Sequence, residues 1–294
     1  MDSKRWVSYA LVLVSSLGAK SISIDEMLAR DKQLKLISTF SYINIHNKSY
    51  TLSALPYALP NNMGFVNIPL LGYQNTNEDY LNLSLYARYG ISSRLEVFST
   101  LSGFYQHSKL DTNATFSTQS RMDFSSLNLG TLFLVKKEGK YPALMLGVSA
   151  DAMDKTYFTR TFKSLQYFKS YSFFATSYYT SDPIVFLLQA GFRLNTPKRA
   201  FGYILDNGEI FTLSPTIYFA VNPYVSLHFG VRYQYQSKDF LNKTALNMQG
   251  STVSYTFGVA YELKHRLIVF GDVEKLDTSL YTSNTISLSI SYRI

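Results

Sequence analysis

Polar and apolar residues alternate with a period of two along most of the chain. The clearest run is YVSLHFGVRYQYQ at 224–236, in which odd-numbered positions from Val225 to Tyr235 are apolar or aromatic and even-numbered positions are polar or small. The run STVSYTFGVAYEL at 251–263 repeats this arrangement. Successive side chains of a β-strand point to opposite faces, so each run predicts a two-faced strand. The sequence therefore predicts an all-β domain over 36–294.

Twelve such runs occur, and most are about 10 to 14 residues long, whereas strands of soluble proteins average about 5–6 residues. A tilted strand that crosses a bilayer needs about 9–11 residues. The connections are alternately short and long, as in outer-membrane barrels. The runs are 36–47, 79–90, 94–106, 122–135, 141–150, 171–180, 184–195, 209–221, 224–237, 251–263, 266–275 and 283–294. We therefore expect a transmembrane antiparallel up-and-down β-barrel of about 12 strands, with both termini in the periplasm.

Composition assigns the two faces of the strands. Charged residues make up 16% of the 294 positions, below the roughly 25% of soluble globular chains. The polar face is rich in Ser, Thr, Gly and Gln, so we expect it to line the interior while the apolar face contacts lipid. Tyrosines near strand ends are expected to form aromatic girdles; they are Tyr42, Tyr89, Tyr105, Tyr179, Tyr235, Tyr261 and Tyr292. Pro215 interrupts the run at 209–221, and because proline cannot donate to a ladder we expect a local bulge there.

The N-terminal segment indicates export. Lys4 and Arg5 precede an apolar run at 6–17 that is followed by small residues, which predicts a secretory signal peptide over 1–21. A capping-box pattern and an apolar stripe predict a short periplasmic helix over 22–35. We therefore expect the protein to be located in the outer membrane of a Gram-negative bacterium, with membrane lipid and the barrel assembly machinery as partners.

Charged residues on the predicted interior faces are candidate pore residues. Arg88 and Glu96 flank the short turn at 90–93 and should lie nearly opposite each other on paired strands. Enclosed charges must be paired or wetted, because burying an isolated charge is costly. They are expected either to fill the lumen or to select solutes, and both alternatives are open. The candidate lumen-lining residues are Arg88, Glu96, His228, Arg232, Glu262, Asp272, Glu274 and Arg293.

The first long connection, 48–78, is a candidate constriction because it is unusually apolar for an exposed loop and contains three prolines. Such a loop is expected to fold into the lumen, lie at the outer rim or bind an apolar solute. Its candidate constriction residues are Leu55, Pro56, Leu59, Pro60, Phe65, Pro69 and Leu70.

Catalytic, metal and nucleic-acid functions have little support. The net charge is +8 and there is no cysteine, the basic residues are scattered, and no two histidines are close in sequence. His107 lies near Asp111 and His228 near Ser226, but G-x-S-x-G and H-E-x-x-H motifs are absent. We therefore expect no cofactor, no metal and no nucleic-acid partner, and we expect that the protein is not an enzyme.

The hairpin at 80–110 carries a resemblance to a known group. Arg88-Tyr89-Gly90, a polar turn and Arg94-Leu95-Glu96 resemble outer-membrane channels assigned to transport in the phenol meta-degradation pathway, a group that includes export channels for functional-amyloid subunits. The resemblance implies a 12-stranded barrel with a signal peptide, in which Arg88 and Glu96 form a structural pair.

These observations predict a porin-like channel that passes small solutes of unidentified structure, including apolar or aromatic ones. Export of a polypeptide such as an amyloid subunit is one alternative. A lipase-like or protease-like barrel enzyme and a closed structural or adhesive barrel are the others.

Overall fold

A computed structural model describes residues 31–48, 51–58, 65–72, 76–112, 115–159, 162–246, 249–278 and 281–294. Its strands are β1 (Leu34–Asn47), β2 (Thr51–Ala58), β3 (Phe65–Gly72), β4 (Thr76–Gly90), β5 (Leu95–Thr112), β6 (Thr115–Lys136), β7 (Ala143–Tyr157), β8 (Lys163–Gln166), β9 (Ser170–Ser181), β10 (Ile184–Asn195), β11 (Lys198–Ala200), β12 (Tyr203–Asp206), β13 (Ile210–Asn222), β14 (Val225–Gln236), β15 (Phe240–Leu241), β16 (Thr244–Ala245), β17 (Gly250–Lys264), β18 (Leu267–Asp277) and β19 (Tyr281–Arg293).

Twelve of these strands form a closed antiparallel barrel, which confirms the predicted architecture. The ladder runs β6-β5-β4-β1-β19-β18-β17-β14-β13-β10-β9-β7, and β6 also pairs with β7, so the sheet closes on itself. The last strand, β19, pairs along its length with the first, β1. Closure removes the free edges that would otherwise expose unpaired backbone groups to lipid.

The strands extend beyond the predicted runs at their loop ends. β5 and β6 stay paired out to Thr112 and Thr115, and β7 continues to Tyr157, through segments expected to be loops. β1 begins at Leu34, so the last two residues of the predicted helix over 22–35 are strand residues. The remainder of that helix up to residue 30, and the predicted signal peptide over 1–21, lie outside the described residues. Within the described ranges, no helix is long and apolar enough to cross a membrane.

The faces of the strands are arranged as the alternation predicts. In β19, Ser287, Ser289 and Ser291 are buried inside the barrel, whereas Leu288 and Tyr292 are exposed on its outer surface. All seven tyrosines expected at the girdles are also exposed. Apolar side chains thus face the bilayer and polar side chains face inward, as in other transmembrane barrels.

Pro215 does not cause the expected bulge. The β13–β14 ladder pairs Leu213 with Tyr233 before the proline. It pairs Thr216 with Gly230 after the proline, in the same register. The shift in register in β13 lies nearer the short-turn end of the strand. Ser214 and Pro215 have no ladder partner on β14, but the pairs on either side keep the strand in register. The proline ring is exposed toward lipid.

The long loops build a small sheet over one end of the barrel. β11 and β12 from one loop pair with β15 and β16 from the next in the order β11-β12-β15-β16. Phe201 and Gly202 join β11 to β12 with φ values of 52° and 78°, and Asn242 and Lys243 join β15 to β16 with 49° and 68°. Two consecutive residues with positive φ match the twist of a two-residue hairpin.

Candidate functional site: the barrel interior

The interior consists of two apolar layers separated by a polar one. The turn-side layer, near the short turns and the ends of the chain, contains Ile37, Tyr86, Phe98, Leu132, Leu134, Ala143, Met145, Phe174, Tyr178, Val185 and Leu187. The loop-side layer, near the long loops, contains Ile43, Ile45, Tyr80, Phe104, Tyr157 and Tyr281. Between them, hydroxyl pairs such as Thr39–Ser289 at 2.8 Å and Ser41–Ser287 at 2.9 Å cross the β1–β19 seam.

Aromatic rings fill the turn-side layer. Phe98 lies over Gly130, where an added Cβ would be 2.3 Å from a ring atom, and Phe174 lies over Gly147, where the distance would be 2.1 Å. The Phe98 ring centroid is 5.6 Å from that of Tyr86 and 6.1 Å from that of Phe174. Glycines in the wall therefore let large rings lie flat against it and fill this side of the lumen.

Arg88 and Glu96 meet within the barrel wall next to this layer. Arg88 Nη2 donates to Glu96 Oε2 at 2.8 Å, and Nε donates to Oε1. Both side chains are buried. Arg88 stands opposite Phe98 in the ladder and Glu96 stands opposite Gly90, so the two groups meet diagonally. A buried two-bond pair of this kind satisfies both charges and braces β4 against β5.

Five of the other predicted lumen residues lie on one wall, formed by β14, β17 and β18. His228 on β14 reaches over β17 to Asp272 on β18, with 2.8 Å between Nε2 and Oδ1. Arg232 does the same toward Glu274, with 2.9 Å between Nη1 and Oε1. Glu262 on β17 lies toward the short-turn end, and its Oε1 is 3.7 Å from His265 Nδ1.

A glycine makes the first of these long reaches possible. Gly258 lies between His228 and Asp272 in the ladder. An added Cβ at that position would lie 2.3 Å from Asp272 Oδ1 and 2.4 Å from His228 Cε1. The imidazole also packs against Tyr218, with 5.1 Å between ring centroids.

The side chains of this wall are more exposed than the Arg88–Glu96 pair. The exposed fractions of the Asp272 and Glu274 side chains are 27% and 19%, whereas Arg88 and Glu96 are at 0% and 2%. The partly exposed side chains form a row along the interior that we call the polar track. It consists of Arg232, Glu274, Thr256, His228, Asp272 and Glu262. Arg293, on β19, is half-buried at the short-turn end.

Two further ion pairs were missed by the sequence analysis. Arg193 on β10 donates to Asp151 on β7, and both side chains are buried. Lys198 donates to Asp154 and is likewise buried. Arg193 shares a strand face with Gln189, which was a usable signal. Asp151 and Asp154 were placed in a loop because the predicted run ended at residue 150.

The 237–246 loop, which joins β14 to the described residues before β17, packs at the loop-side end of the interior. Leu241 and Leu246 of this loop, together with Leu276, pack against the loop-side layer. Asp239 anchors the loop by accepting a hydrogen bond from the Gly208 backbone N–H at 2.7 Å. Apolar side chains from an outer loop therefore pack into the loop-side end of the barrel.

The predicted constriction at 48–78 forms a separate β2–β3 hairpin. Leu55 and Pro56 lie on β2, and Phe65, Pro69 and Leu70 lie on β3. The β3 backbone contacts β6 and β7. Leu59 and Pro60 lie outside the described residues, as do the side chains of the hairpin. Its role as a constriction stays a prediction.

The histidines do not assemble a catalytic centre within the described part of the chain. Among the described residues, the buried His228 Nδ1 has no hydrogen-bond partner, and its other nitrogen faces Asp272. No hydroxyl nucleophile from the described ranges is therefore bonded to the ring. His107 Nδ1 is 2.8 Å from Ser120 Oγ at an exposed position. The described residues also contain no group of three His, Cys, Asp or Glu side chains suited to a metal ion.

Comparison with solved structures supports the fold. An outer membrane channel from Pseudomonas putida F1 superposes with a TM-score of 0.61 at 13% identity, over 88% of this chain and 95% of that one. The translocator domain of the autotransporter NalP from Neisseria meningitidis gives 0.55 at 8% identity, over 97% and 98%. No protein-family model and no curated protein matches the chain. At these identities the likeness concerns architecture.

Proposed function

We propose that this protein is a passive, porin-like outer-membrane channel for small solutes. The observation that carries the proposal is the polar track, a row of partly exposed charged and polar side chains inside a closed barrel. A lumen that served only as packing would bury and pair its charges as completely as the Arg88–Glu96 pair does.

The arrangement of the ends supports the same function. The short turns would face the periplasm and the long loops the exterior, as is usual for outer-membrane barrels. The two apolar layers offer surfaces to apolar or aromatic solutes, which the resemblance to phenol-pathway channels suggests. The similar protein from Pseudomonas putida is itself described as an outer membrane channel. Because rings fill the turn-side layer, we expect a narrow pore.

The 237–246 loop provides the experiment. Leu241→Ser with Leu246→Ser removes the apolar contacts between the loop and the loop-side layer. We expect the loop to leave the barrel mouth, so single-channel conductance in planar bilayers should rise relative to the wild-type chain. Phe240→Ser is the matched control, because Phe240 is an exposed residue of the same loop and its replacement should leave conductance unchanged.

The absence of conductance in both the wild-type and the loop-opened protein would overturn the channel proposal in favour of a closed structural or adhesive barrel. Polypeptide export would require a lumen wide enough for an extended chain, and the filled turn-side layer gives it no support. The histidine geometry likewise gives none to a barrel enzyme.

A further inference from the structure

The polar track has its basic and acidic groups on opposite sides. His228 and Arg232 both lie on β14, and Asp272 and Glu274 both lie on β18. Between them, β17 contributes small side chains, Gly258 and Thr256 among them, which form a floor. The track is therefore a shallow groove. Its β14 side carries the nitrogen-bearing side chains, its β18 side carries the carboxylates, and no bulky side chain of β17 lies between them.

The two contacts cross this groove in the same direction. His228 and Arg232 are four residues apart on β14, whereas Asp272 and Glu274 are two residues apart on β18. Arg232 therefore reaches Glu274 diagonally, while His228 and Asp272 are in register across β17. A two-residue step along a strand is about 6.6–6.8 Å. In both pairs the nitrogen is on β14 and the carboxylate on β18. The Arg232–Glu274 pair therefore produces a field across the groove, and the His228–Asp272 contact has the same orientation.

A field across the groove favours solutes with separated charges of both signs. Such a solute can place its anionic group near Arg232 while its cationic group faces Glu274, so that each end replaces part of an existing pair. A neutral polyol gains less electrostatic stabilisation from these groups, and an ion of one sign is repelled by one side of the groove. The partial exposure of Asp272 and Glu274, at 27% and 19%, leaves their carboxylates open to such exchange.

We propose that the polar track is a path for small zwitterionic solutes of the amino-acid type, with Arg232 and Glu274 as the residues that determine this preference. This inference rests on the channel function proposed above and assigns one class of solute to the polar track, distinct from the apolar or aromatic solutes that the apolar layers could contact. It makes the groove between β14 and β18 the route through the barrel.

The test is the rate at which proteoliposomes swell in L-serine compared with glycerol. Full-length protein with Leu241→Ser and Leu246→Ser provides the opened background. Adding Arg232→Met with Glu274→Gln removes both charges, and the serine-to-glycerol ratio should fall by at least about threefold. The exchange Arg232→Glu with Glu274→Arg keeps the charges but reverses the field, so the ratio should recover because a zwitterion can turn around.

Thr100→Val is the matched control in the same background. Thr100 lies on β5, five strands from β17 around the barrel, and its buried hydroxyl has no partner among the described residues. An unchanged ratio in the uncharged variant, or equal losses of serine and glycerol flux, would overturn the zwitterion path while leaving the channel intact. If neither solute entered through any variant, the channel function itself would be wrong.

Discussion

At the scale of single residues, interior charges differ in how far they depend on one partner. Arg88 and Glu96 are buried together, and removing one member of such a pair leaves an uncompensated charge. We expect Arg88→Ala to lower the free energy of unfolding by on the order of 3 kcal/mol, but Arg88→Met with Glu96→Gln by less than about 1.5 kcal/mol. Urea unfolding in lipid vesicles, followed by far-UV circular dichroism, measures both. Equal stability of Arg88→Ala and the wild-type protein would contradict the argument.

A substitution at Gly258 tests the contact between His228 and Asp272 across the groove. Gly258→Ala would place a methyl group 2.3 Å from Asp272 Oδ1, so His228 and Asp272 must separate while the backbone is retained. We expect an unchanged circular dichroism spectrum and a lower serine-to-glycerol swelling ratio. The control is Gly250→Ala at the start of β17, where an added Cβ meets nothing within 4 Å. An unaltered ratio in Gly258→Ala would mean that the His228–Asp272 pair does not act on the solute.

At the scale of elements, β13 shows how a strand tolerates a residue that opposes it. The Pro215 carbonyl lies on the β14 side, 3.7 Å from the ideal Cβ position of Gly230, so the missing N–H is a donor lost from the β13–β14 ladder. Pro215→Val should restore that donor and raise the free energy of unfolding by about 1 kcal/mol. The same urea titration measures it, with the lipid-facing Leu213→Val as control. A loss of stability would show that the strand is adapted to proline.

The loops show that the composition of a segment does not predict where that segment packs. The 48–78 loop was predicted to be a constriction because it is rich in apolar residues, whereas the 237–246 loop is mostly polar. Yet Leu241 and Leu246 of the second loop pack inside the mouth. Composition reports how much apolar surface a loop carries, but the position of that surface depends on the hairpin and its anchors, such as Asp239.

At the scale of the whole molecule, the barrel reverses the usual relation between inside and outside. Leu288 faces lipid and the half-exposed Thr256 faces the lumen. We expect Leu288→Arg to destabilise the folded barrel by about 2–4 kcal/mol, as a charge near the bilayer midplane does. Thr256→Arg should be far better tolerated. The folded fraction of each variant in vesicles, from its urea transition, tests this. Similar losses at both sites would mean that the faces are wrongly assigned.

The sequence by itself determined the barrel, the number of its strands and the face on which each side chain lies. These properties follow from a period of two and from the thickness of the bilayer, both of which act locally on each strand. It also predicted that Arg88 and Glu96 lie close together, because a four-residue turn joins the two strands that carry them.

Only the tertiary structure decided which more distant groups meet. His228 finds Asp272 because Gly258 leaves a gap on the strand between them, and Arg193 finds Asp151 across β9. Such contacts depend on the stagger between strands around the closed barrel, which is set by all the ladders together. The difference in exposure between the two walls of the lumen, and the packing of the 237–246 loop at its mouth, depend on the same stagger.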